Sequence, residues 1–345
     1  CGRKVLRARN GAMSLPAFRV LQPRTVDEAC RMLDEHGPDA MIIAGGTDVI
    51  PNLQMKLFNP RVLVDIKPLR ELSKIDFSLR EGLRIGATAS LTHILETPWL
   101  AEKFPVLSSA VSTIAGPLQR NMGTIGGNLC LETRCRWYNQ SYFWRQSLGG
   151  CLKKEGDICH VAPGGKFCWA AWSGDSAPAF LALDAEIEIA GVSGTRRTPL
   201  RDFYKNDGKD RVALARNELL TAVHVPARMA GRRGVYHKLR VRDSIDYPLA
   251  GVAVAMEVDG SGICRDARVA LSAVNPAPVL VRDASESLIG QKWSRELAER
   301  VAHAAIQTGK PLTTSASTPV YRRDIVRVFT RRALEEVWKN GQVSS

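Results

Sequence analysis

The sequence predicts a mixed α+β protein built from two or three compact units. The chain has 345 residues, and single domains usually have about 100 to 200 residues. Short runs rich in β-branched residues alternate with stretches of helical periodicity along most of its length. No window contains the roughly 18 consecutive apolar residues that a membrane span needs. These observations predict a globular protein without a membrane span.

The first unit opens with a strand, a helix and a second strand. The run "FRVLQP" predicts a short strand, and the spacing of Thr25 and Glu28 is that of a capping box at the start of a helix. Cys30 falls on the apolar face of this helix, which is typical of a small core residue. The run "AMIIAGGTD" then predicts a buried strand that leads into a glycine-rich turn.

The second unit continues the α+β pattern but contains a long irregular segment, residues 131–172. This segment sustains neither helical nor strand periodicity, although four of the seven tryptophans lie in it. Ordered loops of this length are usually functional. Beyond "ARMAGRRG" the pattern predicts three strands and two helices of a separate α+β unit. The predicted units are residues 13–70, 71–228 and 229–345.

The net charge and the first residues of the chain restrict its possible partners and its cellular compartment. A net charge of +13 favours an acidic partner, such as a nucleic acid, an anionic cofactor or an acidic protein. The basic residues are dispersed and no nucleic-acid-binding signature is present, so we predict no nucleic-acid partner. Residues 1–12 are basic but lack the apolar core of a signal peptide. We therefore expect a cytoplasmic protein whose natural start is Met13.

Two glycine-rich turns have backbone N–H groups that side chains do not shield. They are Ala44–Asp48, "AGGTD", and Gly123–Asn128, "GTIGGN". Such turns can approach a phosphate group closely. Neither matches the dinucleotide or Walker fingerprint, and each one alone favours an ordinary tight turn. Together, with the polar Asp48 and Asn128, they could hold a pyrophosphate from two sides.

Half of the eight cysteines lie in the irregular segment. Counted from the numbering, these four are separated by 16, 8 and 9 positions: Cys135, Cys151, Cys159 and Cys168. Because lasting disulfides are rare in a reducing cytoplasm, metal binding is favoured over cross-linking. Four thiolates suit a zinc ion or an iron–sulfur cluster, and the lack of a C-x-x-C pair disfavours zinc. Free thiols packed against aromatic side chains are the third possibility.

Four segments resemble the flavin subunits of the molybdenum hydroxylases, and the resemblance covers nearly everything from Met13 onward. The segments are "IIAGGTDVIP", "LRIGATASLTHI", "TIGGNL" and "GDSAPAFLAL". The resemblance implies a two-subdomain FAD-binding fold of the vanillyl-alcohol-oxidase (PCMH-like) type. It also implies a C-terminal α+β domain like that of carbon monoxide dehydrogenase flavoproteins. FAD would lie between the first two subdomains.

The resemblance also assigns residues to the flavin, by position. Two of them, Leu220 and Lys238, are equally consistent with a core leucine and a solvated lysine. The implied FAD-binding residues are Ile43, Ala44, Gly45, Gly46, Thr47, Asp48, Thr124, Ile125, Gly126, Gly127, Asn128, Asp175, Leu220 and Lys238. No catalytic residue is assigned, because the chemistry on substrate is expected to take place on another subunit.

The cysteine-rich segment resembles that of the 4-hydroxybenzoyl-CoA reductases within this family. This implies a [4Fe-4S] cluster in the inserted loop, with Cys135, Cys151, Cys159 and Cys168 as ligands and Cys130 as a non-ligand beside the flavin. Aromatic side chains of the loop are expected to shield the cluster from water.

The resemblance further implies partners and a direction of electron flow. The partners are a molybdopterin large subunit and a small subunit with two [2Fe-2S] clusters, in a dimer of heterotrimers. Electrons would pass from ferredoxin through [4Fe-4S] and FAD towards molybdenum, for reductive dehydroxylation of 4-hydroxybenzoyl-CoA. Lys153, Lys154 and Lys166 are expected to help dock an acidic ferredoxin, unless they form a merely solvated basic loop.

Two alternatives stay open at this point. The chain could serve an oxidative molybdenum hydroxylase with another substrate. It could also be an interaction module that contains no flavin and is stabilised by a bound zinc ion.

Overall fold

Three β-sheets, each with its own helices, follow one another along the part of the chain that the structure describes. The computed structural model describes residues 15–339. The expected start at Met13 and the last residues of the predicted third unit, 340–345, lie outside this range. Within the described range no helix is both long enough and apolar enough to cross a membrane.

The first sheet has three parallel strands and carries the first glycine turn at its end. Its elements are β1 (Arg19–Leu21), α1 (Val26–His36), β2 (Ala40–Ile43), α2 (Val49–Gln54) and β3 (Val62–Asp65), with short 3-10 helices at Gly37–Asp39 and Arg70–Ser73. The strand order is β1-β3-β2. The Thr25 side chain accepts a hydrogen bond from the Glu28 N–H at 3.1 Å, which confirms the predicted helix start. Cys30 is buried in the core beneath α1, as predicted.

The second sheet has five antiparallel strands and belongs to the segment that carries the second glycine turn. Its strands are β4 (Ile75–Ser78), β5 (Gly82–Gly86), β6 (Glu186–Gly191), β7 (Gly194–Pro199) and β8 (Leu219–Val225). Their order is β4-β5-β8-β6-β7. The helices are α3 (Leu91–Glu96), α4 (Leu100–Lys103), α5 (Pro105–Ser112), α6 (Pro117–Met122), α7 (Ile125–Leu129), α8 (Tyr142–Ser147), α9 (Ser176–Ala182) and α10 (Leu200–Phe203), with a 3-10 helix at Ala227–Met229. The largest hydrophobic core lies between this sheet and its helices.

The third sheet has four antiparallel strands covered by long helices. Its elements are β9 (Arg233–Leu239), β10 (Ala250–Val258), β11 (Cys264–Ser272), β12 (Val279–Leu280), α11 (Arg282–Leu288), α12 (Arg295–Thr308) and α13 (Pro319–Lys339). The order is β12-β11-β10-β9. The buried side chain of Arg322 on α13 donates to the carbonyl oxygens of Leu249 at 2.7 Å and Leu312 at 2.8 Å. These bonds fix the C-terminal helix to the sheet and to the preceding loop.

The structure differs from the sequence-based expectation at two places. The "GTIGGN" turn is the start of helix α7, because the Thr124 side chain accepts from the Gly127 N–H at 3.2 Å and caps it. The irregular segment contains one short helix, α8. It also closes on itself, since Arg134 and Ala171 exchange two backbone hydrogen bonds at its base, of 2.8 and 2.7 Å.

Candidate functional site

The two glycine-rich segments lie against each other, although they are far apart in the sequence. A Cβ atom added to Gly45 would lie 2.1 Å from the carbonyl oxygen of Met122. No side chain fits there, so the close approach of the two segments requires glycine at this position. The ammonium group of Lys67 donates to the same Met122 oxygen at 3.0 Å. The two segments therefore contact each other in the structure, and their joint binding of a pyrophosphate stays a prediction.

The second segment is held by strand β5 and the residues that follow it. The N–H of Gly126 donates to the Ala87 carbonyl at 2.9 Å. A Cβ atom on Gly126 would lie 2.7 Å from the Cβ atom of Ala87. Next to it, the Thr88 hydroxyl is buried without a hydrogen-bond partner in the described part of the chain. A buried polar atom of this kind needs a partner, and a bound ligand would supply one.

Asn128 connects the second glycine segment to the helix that follows the irregular segment. Its side-chain oxygen accepts hydrogen bonds from the N–H of Ser176 at 3.1 Å and from the Ser176 hydroxyl at 2.6 Å. Asp175, the preceding residue, is 3% exposed. The structure thus brings the second glycine segment next to the predicted flavin-contacting aspartate.

Asp175 and Lys238 form a buried ion pair across two of the predicted units. The Lys238 Nζ lies 2.9 Å from the Asp175 Oδ2, and the two side chains are 2% and 4% exposed. The Tyr236 hydroxyl donates to Oδ1 of Asp175 at 2.8 Å, and Lys238 also donates to the Thr113 carbonyl at 2.9 Å. Burial raises the pKa of the Asp175 carboxyl, and Lys238 and Tyr236 counteract part of this rise. Lys238 is therefore not the solvated lysine that the sequence also allowed.

Replacing Lys238 by Met should lower the free energy of unfolding by about 3–5 kcal/mol, because the Asp175 carboxyl is left buried without its cation. Without the cation, the pKa of the Asp175 carboxyl in the folded state rises further above its pKa in the unfolded state. At pH values above the unfolded pKa, folding then requires the carboxyl to take up a proton, and this costs more as the pH increases. The loss of stability should therefore be larger at pH 7 than near pH 4. Urea unfolding of the flavin-free protein measures this. The double variant Asp175→Asn, Lys238→Met should recover part of the loss, and Lys209→Met at an exposed position is the control. A loss that does not depend on pH would contradict the ion-pair explanation.

Leu220 lies in strand β8, opposite Ile189 of β6. It is 3% exposed and belongs to the largest hydrophobic core. This position agrees with the core-leucine alternative, and a flavin contact of Leu220 stays a prediction.

Asp48, Arg134 and Tyr247 form a connection that sequence analysis did not predict. The Arg134 Nη2 donates to Oδ1 of Asp48 at 2.7 Å and to the Tyr247 hydroxyl at 2.5 Å. The guanidinium lies 3.9 Å from the centre of the Tyr247 ring. Arg134 directly precedes Cys135, so this contact joins the first glycine turn to the cysteine-rich segment. No sequence signal indicates it, because the three residues lie in three different units.

All four predicted ligand cysteines line one cavity. Each is 7–8% exposed, and all four border the same small cavity. Burial raises the pKa of the Cys135 and Cys168 thiols to about 11. Both are therefore protonated at neutral pH unless a bound metal displaces the proton. Cys130 is half-buried and does not line this cavity.

One hydrogen-bond donor at the cavity has no acceptor among the described residues. The indole Nε1 of Trp137, which lines the cavity, is buried and has no hydrogen-bond partner among residues 15–339. Sulfur atoms of a cluster accept such bonds. His160 also lines the cavity, stacked at 5.1 Å on Trp137, and its Nε2 lies 2.7 Å from the Gly150 carbonyl oxygen. His160 is half-buried.

Fewer aromatic side chains of the segment shield the cavity than expected. Tyr138 and Trp137 line it, and Trp144 packs on Trp137 at 5.8 Å. Tyr142 and Phe143, in contrast, are 44% and 83% exposed. These two side chains point to solvent because helix α8 lies at the surface.

Lys153 is buried, which contradicts its predicted role in a docking surface. Its side chain is 6% exposed and pairs with Glu132, whose side chain is 8% exposed. Burial would raise the pKa of Glu132, but Lys153 and Arg211 hold it below its usual value. Lys154 lies 3.4 Å from Glu155. The exposed basic surface of this segment is therefore smaller than the sequence suggested.

Comparison with known protein families identifies the class of this protein. Residues 16–228 match the family described as "FAD binding domain in molybdopterin dehydrogenase", and residues 235–337 match "CO dehydrogenase flavoprotein C-terminal domain". The protein is thus an FAD-binding oxidoreductase subunit. More particularly, the chain belongs to the family of FAD-binding medium subunits of the molybdenum hydroxylases, which includes those of CO and xanthine dehydrogenases.

Individual relatives and a solved structure support this assignment. The chain is 27% identical over 313 residues to the putative xanthine dehydrogenase FAD-binding subunit XdhB of Escherichia coli, covering 90% of this chain and 93% of the relative. It is 35% identical over 283 residues to the aldehyde oxidoreductase FAD-binding subunit PaoB of the same organism, covering 79% and 86%. A structure of reconstituted CO dehydrogenase from Oligotropha carboxidovorans superposes with a TM-score of 0.78 at 26% identity, covering 94% of this chain and 99% of that chain. The flavin-free alternative is inconsistent with these matches.

Proposed function

We propose that this chain is an electron conduit with two cofactors, FAD and a [4Fe-4S] cluster, in a molybdenum enzyme. The observation that carries the proposal is the single cavity lined by the four cysteines of the irregular segment. When bound, the two groups would allow electrons to be exchanged singly or in pairs along the chain. The proposed cluster ligands are Cys135, Cys151, Cys159 and Cys168.

The arrangement of the thiols favours a polynuclear cluster over a single zinc ion. Among residues 15–339, no group of three or more histidine, cysteine, aspartate or glutamate side chains is placed to hold one metal ion. The four thiols nevertheless line a common cavity. Thiols that reach one cavity from separate parts of a loop fit a cluster whose metal atoms each take one thiolate. The Trp137 N–H, which has no hydrogen-bond partner in the described part of the chain, adds a donor suited to a sulfur acceptor.

For the flavin, the proposed cradle consists of the two glycine segments, which meet where Gly45 lies against Met122 and Gly123. Residues 43–48 and 124–128 would bind the pyrophosphate and ribityl chain through backbone N–H groups. The buried pair of Asp175 and Lys238 lies beside this cradle, because Ser176, the neighbour of Asp175, donates to the Asn128 side chain. The residues of this chain bind and orient the cofactor, and we assign none of them to proton transfer with substrate.

The proposed partners are a molybdopterin large subunit and a small subunit with two [2Fe-2S] clusters, in a dimer of heterotrimers. With reduced ferredoxin as donor, the overall reaction would be 4-hydroxybenzoyl-CoA plus two electrons and two protons giving benzoyl-CoA and water. What supports this direction is the cysteine-rich segment, which gives electrons an additional entry point. The names of the relatives favour the second candidate, an oxidative hydroxylase, since they include xanthine, CO and nicotinate dehydrogenases.

Metal analysis and turnover of the intact complex, purified without oxygen, test the proposal. Per copy of this chain we expect one FAD and about eight irons, four of them beyond the two [2Fe-2S] clusters of the small subunit. Reduced ferredoxin should drive formation of benzoyl-CoA. Only about four irons per copy would remove the cluster from the proposal. Oxidation of a xanthine, aldehyde or nicotinate substrate, with no dehydroxylation, would establish the second candidate instead.

A further inference from the structure

We propose that Lys153 raises the reduction potential of the cluster in the four-cysteine cavity by acting as a fixed, buried positive charge at its wall. This inference rests on the proposed function, because it requires a cluster on these thiols. Lys153 follows Cys151 by two positions and lines the cavity together with the four thiols. The other side chains that line it carry no fixed charge.

The position of the Lys153 ammonium is determined by several acceptors. It donates to the carbonyl oxygens of Gly208 at 2.8 Å and Thr133 at 3.2 Å, and it pairs with the Glu132 carboxylate. It also lies 4.4 Å from the centre of the Tyr138 ring, which lines the cavity as well. With a side chain 6% exposed, Lys153 is screened little by water.

The charged groups around Lys153 set the sign of the effect. Glu132 pairs with two cations: its Oε1 contacts Lys153, and its Oε2 lies 3.4 Å from the Arg211 guanidinium. Asp207 is a further carboxylate near the cavity, and its Oδ1 accepts from the Cys168 N–H at 3.2 Å. Reduction adds negative charge to a cluster with thiolate ligands, and a nearby cation stabilises the more negative state. Loss of the cation should therefore lower the potential, and loss of a neighbouring anion should raise it.

A purely structural role of Lys153 is the competing explanation. In that case the ammonium only ties the segment to Glu132 and Gly208, and any disturbance of the tie would change the cluster environment without regard to charge. Lys153→Met and Glu132→Gln both break the same ion pair but remove opposite charges. Shifts of opposite sign in the two variants would therefore arise from charge and not from loosening of the segment.

The experiment is a redox titration of the intact complex, with the cluster signal followed by EPR at low temperature. We expect a lower midpoint potential in Lys153→Met and a higher one in Glu132→Gln. Lys153→Arg keeps the charge and should restore most of the wild-type value. The matched control is Lys154→Met, whose side chain is 32% exposed and pairs with Glu155. Its shift should be much smaller.

The outcomes separate this inference from the proposed function. Wild-type complex without the additional four irons would refute both. Wild-type complex with those irons, but an unchanged potential in Lys153→Met or equal shifts in the two variants, would overturn only the role of Lys153. If Lys153→Met loses the cluster, Glu132→Gln decides, since a higher potential supports the inference and a lower or unchanged one contradicts it.

Discussion

Cys151→Ser should remove most of the additional iron and sulfide from the protein while leaving FAD bound. Cys151 is 8% exposed and lines the cavity with the other three proposed ligands. A serine hydroxyl is a poor ligand for iron–sulfur clusters, which are held by thiolates. The flavin cradle is built from other residues, so its occupancy should not follow the loss of iron. Iron, sulfide and flavin analysis of the same sample, with the visible spectrum, measures both quantities.

Cys130→Ser is the matched control for this experiment. Cys130 is a half-buried thiol five positions before Cys135, and it lies outside the cavity lining. The control variant should keep its iron. If Cys151→Ser kept its iron as well, or if the control lost iron to the same extent, the four-cysteine assignment would have to be abandoned.

Gly45→Ala should weaken FAD binding by about 5- to 150-fold, because an added methyl group in a tightly packed contact costs about 1–3 kcal/mol. The new Cβ atom would lie 2.1 Å from the Met122 carbonyl oxygen, so the two glycine segments must move apart. This displaces the backbone N–H groups that are proposed to face the pyrophosphate. Flavin content after purification and fluorescence titration of flavin-free protein give the change in affinity.

Gly260→Ala is the control for the effect of an added methyl group. Nothing lies within 4 Å of a Cβ atom built on Gly260, and the residue is far from both glycine segments in the sequence. Its flavin affinity should equal that of the wild type. Unchanged affinity in Gly45→Ala, with the circular dichroism spectrum also unchanged, would show that the two segments do not form the flavin cradle.

Local sequence patterns predict most of the secondary structure, because helices and strands depend on neighbours within a few positions. The Thr25 cap and strand β2 are examples. The start of α7 is harder to predict, since two glycines weaken the helical signal while the Thr124 side chain supplies the cap.

Long-range partners explain what the sequence alone does not reveal about the site. Lys153 lies in a stretch rich in glycine and charged residues and is therefore expected at the surface. Its burial depends on the Gly208 carbonyl, 55 positions away. The partner of Lys238 is Asp175, 63 positions away, and both were predicted only as separate flavin contacts. The spacing of the four cysteines indicates a metal site, but only the fold shows that they share one cavity.

The two backbone hydrogen bonds between Arg134 and Ala171 mean that the chain leaves and re-enters the flavin-binding half at one point. A segment that leaves and rejoins the fold at one point can be gained or lost during evolution in one event, without rearranging the sheets on either side. A flavoprotein of this fold could thus acquire such a segment while its original architecture stayed intact. The inserted segment then needs only a few anchoring contacts, such as those of the Arg145 guanidinium with the carbonyl oxygens of Met55 and Lys56.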